Sequence, residues 1–187
     1  MQIVIGEIAV SNSVDISGGI SEKKGPQAIA PTVVAQIKSL LGREPRGLEA
    51  VEVVDYQGAP SVIRVASMVD DKPFPTMYWL VDKQWNYRID QLEAGGLIAR
   101  MQQMIDTDKS LQRAMIHDHQ KFILRRESHM STAIKQRLIE HNYLGPLQRR
   151  GIGGIANFTR IRCLHTYYAS HLVSPNTIGN WLDKEYL

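Results

Sequence analysis

Cysteine is nearly absent from this 187-residue chain, in which Cys163 stands alone. One thiol excludes an internal disulfide framework and a zinc cluster built from cysteines of one chain. It also makes a reducing cytoplasm the default compartment. Long apolar runs are missing as well: none approaches the roughly 18–20 residues of a membrane span, and no membrane partner is expected. The opening stretch MQIVIGEIAV has no basic residue before its apolar part, unlike a signal peptide. What is present is ordinary for a folded domain. Apolar residues make up 43% and charged residues 22%, which excludes wholesale disorder. A mass of 21.1 kDa is that of one domain, or one domain with an arm.

The net charge of +3 is unevenly spread. Residues 1–108 hold 10 Lys and Arg against 14 Asp and Glu, whereas residues 109–187 hold 12 against 5. A basic half attracts phosphates, nucleic acid or an acidic partner. It also describes a solvated helical surface whose charge the acidic half offsets.

Along the chain, residues 1–30 read as an arm or linker. Its first nine residues alternate enough to form one strand, and turn formers follow in SNSVDISGGISEKKGPQ. Residues 31–187 read as a single α+β domain. Pro31 suits the first turn of a helix to Leu41, with Val33, Val34, Ile37, Leu40 and Leu41 on one stripe. Three strands are predicted at Leu48–Tyr56, Ser61–Met68 and Thr76–Val81, joined by short turns that favour an antiparallel meander. From Trp85 the period becomes helical. Gly95-Gly96 breaks or kinks a helix running to Ile105, at roughly 2 kcal/mol of propensity against two alanines. Thr107 is placed to cap a helix to His129, and Ser131 or Thr132 one to Asn142. Gly145–Gly154 reads as a loop and Phe158–Leu172 as a last helix. The expected architecture is a small antiparallel sheet of three to four strands packed with four to five helices.

The segments LGREPRG (41–47), PFPTMYWL (73–80), RIDQLEAGGLI (88–98), HQKFILRR (119–126), GIGG (151–154) and RIRCLHTYYASHL (160–172) occur in this order. In this combination the chain resembles the bacterial family of unknown function DUF501 over roughly residues 36–183. The resemblance brings no assigned activity. Many relatives carry a Cys-Pro after the strand that here continues as Val81-Asp82-Lys83, and this departure speaks against a cysteine-rich metal site.

Chemistry-bearing residues concentrate in the C-terminal half. On a regular helix over 160–172, Cys163 and His165 diverge by about 160° and cannot meet as nucleophile and base. Cys163 therefore reads as a structural thiol, and His165 borders the core stripe. His119 and Arg126 share a helix face with Phe122, so that an inward His119 beside an arginine could serve a site. No histidine pair has metal-ligand spacing, and no metal ligands are assigned. Gly151, Gly153 and Gly154 precede the last predicted helix, flanked by Arg149, Arg150, Arg160 and Arg162. Glycine amides, a helix N-terminus and Arg162 together predict an anion site.

The function expected from the residues is binding of a small molecule or phosphate-like anion, or an enzyme acting on one, through this basic C-terminal region. The alternative is a protein-interaction or regulatory module with a protein partner or a second copy. No cofactor is specified. Nucleic acid is the weakest partner class, because no aromatic-interleaved basic strand or known nucleic-acid motif occurs.

Overall fold

The computed structural model describes residues 29–187, so the expected arm lies outside the described residues except for its last two positions. The chain begins with α1 (Pro31–Leu41), started by Pro31 and closed by Gly42. Strands β1 (Leu48–Val54) and β2 (Pro60–Val65) follow, then β3 (Met68–Val69), β4 (Lys72–Pro73) and β5 (Tyr78–Leu80). The main sheet has the antiparallel order β1-β2-β5, with Val51 opposite Ile63 and Ile63 opposite Trp79. β3 and β4 form a separate two-strand hairpin.

β2 is buried on both faces, which explains its nearly continuous apolar run. Ile63 and Val65 pack toward Ile37 of α1. Val62 points the other way, into a larger core with Met77, Tyr78 and Leu80. That larger core is closed by α2 (Lys83–Ala94), α3 (Leu97–Thr107), α4 (Lys109–His129), α7 (Leu164–Val173) and α8 (Thr177–Glu185). Between α4 and α7 run α5 (Thr132–Glu140), the short α6 (Leu144–Gln148) and a 3-10 turn, Ile152–Gly154. Leu138 of α5 and Leu147 of α6 bury Met68 of the small hairpin.

The α+β class and the small antiparallel sheet are as expected, but eight α-helices occur among the described residues rather than four or five. The break at Gly95-Gly96 separates α2 from α3, with Gly96 at φ 77°. Asp82 and Asp108 cap α2 and α4 with their side chains. The segment expected as a loop from Gly145 contains α6, and α8 was not foreseen.

The largest correction concerns the expected helix from Phe158. α7 starts only at Leu164. The buried Gln102 of α3 accepts from Ile161 N–H (2.9 Å) and donates to Thr159 O (2.9 Å), holding that stretch out of a helix. Asn157 Oδ1 accepts from Thr159 N–H, a turn that competes with helix formation. Glu93 of α2 then accepts the Leu164 N–H and caps α7 from across the fold.

Candidate functional site

The glycine turn is packed into the fold rather than open to solvent. Gly151 N–H donates to Ile155 O (2.8 Å), Ile152 N–H to His119 Nδ1 (2.9 Å) and Gly154 N–H to Gly151 O (2.9 Å). Gly153 lies against Thr166 and Gly154 against Pro75. The expected anion cradle is therefore not formed: three of its four amides have protein partners, and the N-terminus of α7 is occupied by Glu93. Arg162 is exposed and joins no hydrogen bond or ion pair among the described residues.

His119 has no exposed surface, and both its ring nitrogens are used within the protein. Nδ1 accepts from Ile152, so the neutral ring carries its proton on Nε2 and donates to Tyr167 Oη (2.9 Å). Tyr167 Oη in turn donates to Arg160 O (3.1 Å). The imidazole also stacks on Phe158, with centroids 4.6 Å apart. Burial lowers its pKa from 6.5 to about 4. His119 is thus a member of a polar chain that joins α4 to the 151–160 segment.

This depression has a signed consequence. The unfolded chain takes up a proton at this histidine below its ordinary value of 6.5, while the folded chain resists until about 4. Stability contributed here is complete above pH 6.5 and is lost as pH falls toward 4, by about 3 kcal/mol. Urea titrations of the native chain and of His119→Asn at pH 7 and 4.5 test this. The variant, weaker at pH 7, should lose distinctly less on acidification, and parallel losses would refute the assignment.

Arg126 is likewise fully buried. It donates to Pro75 O (3.0 Å) and Leu147 O (2.6 Å), and its guanidinium lies 5.6 Å from the Phe122 ring centroid. Burial lowers its pKa to about 10. It joins α4 to α6 and to the approach to β5, and reaches no open surface.

Cys163 and His165 do meet, contrary to the helical reading. Cys163 precedes α7 in extended conformation (φ −155°, ψ 121°). This places its Sγ 3.6 Å from His165 Nδ1. The same nitrogen is 3.3 Å from Glu93 Oε1. His165 Nε2 is 3.3 Å from both Asn86 O and Asp90 Oδ1. The pKa of His165 rises to about 9, first through its hydrogen bond with Cys163, against desolvation, and then through the charges of Cys163 and Glu93 and the Asn86 carbonyl. Glu93, Cys163 and His165 each direct a donor atom to one small region, so these three residues could hold a metal ion. His165 and Thr166 also line a cleft of about 210 Å³ with Thr76, Tyr78 and Trp79.

A larger hollow, of about 770 Å³, lies beside α4. Gln120, Ile123 and Leu124 of α4 form one wall, and Pro146, Gln148, Arg149, Arg150, Ala156 and Phe158 the other. Leu124 is 66% exposed. Arg149 and Arg150 are exposed and enter no ion pair among the described residues. The buried residues stand behind this hollow: His119 backs the ring of Phe158, and Arg126 anchors the α6 carbonyl next to Gln148.

Sequence reasoning named Arg149 and Arg150 only as flanks of the glycine turn and missed Glu93 as a partner of Cys163. Glu93 does lie within RIDQLEAGGLI (88–98), one of the resemblance segments, which was the available signal. Residues 51–184 match the family described as protein of unknown function (DUF501), and the chain belongs to that family. Comparison with curated proteins and with solved structures finds no match.

Proposed function

We propose that the chain binds a small organic anion, a carboxylate or phosphate on an apolar body, in the hollow between α4 and α6. The observation that carries this reading is an apolar hollow ending at two adjacent arginines that no acidic side chain among the described residues neutralises. Its volume is in the range of small-molecule sites, about 300–1,000 Å³. Arginine offers paired planar donors that match carboxylate and phosphate oxygens. The amides of Gln120 and Gln148 add neutral hydrogen-bonding groups, and Ile123, Leu124 and Phe158 supply apolar contact. None of the lining residues is a nucleophile or a general base, which favours binding over catalysis at this place. The exposed Leu124 supports a second reading, in which an acidic apolar segment of a protein partner uses the same hollow.

Dodecyl phosphate and dodecanoate, below their micelle concentrations, are suitable probes, with inorganic phosphate and dodecanol as controls. Heteronuclear NMR titration should show saturable shifts at Ile123, Leu124 and Phe158 with the amphiphilic anions, and much weaker effects with the controls. In Arg149→Ala/Arg150→Ala, affinity should fall about 30-fold, corresponding to about 2 kcal/mol for charge-assisted bonds. Equal binding of dodecanol, or unchanged affinity in the double variant, would remove the anion reading. Saturable binding of an acidic apolar peptide without binding of either amphiphile would support the second reading.

A further inference from the structure

The structure assigns a divalent-metal site of zinc type to Glu93, Cys163 and His165, a place separate from the arginine-ended hollow. The three donors come from different parts of the chain: α2, the extended residue before α7, and the first turn of α7. Their ligand atoms lie within 4.8 Å of one another.

Two of the three donor separations fit the edges of one four-coordinate ion, and the third, from Cys163 to Glu93, is within 4.8 Å. A tetrahedral zinc ion with a metal–sulfur distance of ~2.3 Å, metal–nitrogen of ~2.0 Å and metal–oxygen of ~2.0 Å sets a sulfur–nitrogen edge of about 3.5 Å and a nitrogen–oxygen edge of about 3.3 Å. The corresponding separations are 3.6 Å from Cys163 Sγ to His165 Nδ1 and 3.3 Å from His165 Nδ1 to Glu93 Oε1. The chemistry of the set agrees. A thiolate and a carboxylate balance a divalent ion, and sulfur with imidazole nitrogen selects zinc-class ions over magnesium or calcium. The remaining ring nitrogen, His165 Nε2, faces Asn86 O and Asp90 Oδ1 at 3.3 Å. A carbonyl or carboxylate in that position holds the proton on Nε2, so Nδ1 is presented to the metal.

Glu93 is fixed by the Leu164 N–H it accepts and keeps further lone pairs for an ion. All three ligands are half-buried, so ions have access. Three protein ligands leave a fourth position for water or for a ligand oxygen. The cleft that His165 shares with Thr76, Tyr78 and Thr166 adjoins it.

The test uses the tag-free full chain after treatment with a chelator. Cobalt(II) titration should saturate at one equivalent, with intense visible bands of a four-coordinate ion and a thiolate-to-cobalt charge-transfer band. Zinc should displace the cobalt. Cys163→Ser should lose the charge-transfer band, and Glu93→Gln, which keeps an acceptor for Leu164 N–H and hence the cap of α7, should bind zinc at least tenfold more weakly. Arg149→Ala/Arg150→Ala should bind metal as the native chain does, whatever the fate of the anion reading. A weak six-coordinate spectrum without the sulfur band, or unchanged zinc affinity in both ligand variants, would overturn the assignment.

Discussion

Gly151→Ala is expected to destabilise the chain by about 4 kcal/mol, combining overpacking with disrupted buried hydrogen bonds. A Cβ at this position would stand 2.1 Å from His119 Nδ1 and 2.8 Å from its Cγ. The ring cannot swing aside without breaking several contacts together. It accepts from Ile152, donates to Tyr167 and stacks on Phe158. Backbone freedom is not the reason, since Gly151 has φ −91°, which any residue adopts. Denaturant unfolding of the variant tests the magnitude, and a loss below about 1 kcal/mol would show that the ring has room to move. The companion Gly151→Ala/His119→Ala removes the clash and should recover part of the loss, because the two residues couple directly.

Arg126→Ala should cost about 4–5 kcal/mol, near the upper end for single substitutions. Truncation leaves a cavity in a fully buried position and removes the donors from Pro75 O and Leu147 O. Arg126→Met restores much of the volume without a charge. It should recover about half of the loss, because burying an arginine that makes no ion pair among the described residues is itself unfavourable. Both variants release α6, and binding of dodecyl phosphate should weaken with them. Stability within 1 kcal/mol of the native chain in Arg126→Ala, measured by urea unfolding, would mean that the two carbonyls are satisfied otherwise.

The inward face of α4 was legible because helix geometry is local. His119, Phe122 and Arg126 follow steps of three and four, and all three are buried. What they do there was not legible. A histidine and an arginine facing inward suggest a pocket. Whether they meet a ligand or the carbonyls and amides of other segments depends on what lies opposite. Here the opposite groups are Ile152, Tyr167, Pro75 and Leu147, between 21 and 51 positions away in sequence.

The amino-acid sequence by itself determined those parts whose causes are local. The family follows from motif order. α1 follows from Pro31 and its apolar stripe, the separation of α2 from α3 from two adjacent glycines, and the antiparallel meander from strand patterns joined by short turns. α8 belongs with these, since Asn176 caps it and Ile178, Trp181 and Leu182 form its stripe; that signal was present in the sequence. The start of α7 and the meeting of Cys163 with His165 were decided by tertiary structure alone. Helical periodicity would separate these two residues on a continuous helix. Gln102 and Glu93, 59 and 71 positions from the backbone amides they bind, end that continuity and open the chain at Cys163. A residue one position outside a helix no longer obeys its 100° step, so a thiol and an imidazole predicted to point apart come within 3.6 Å.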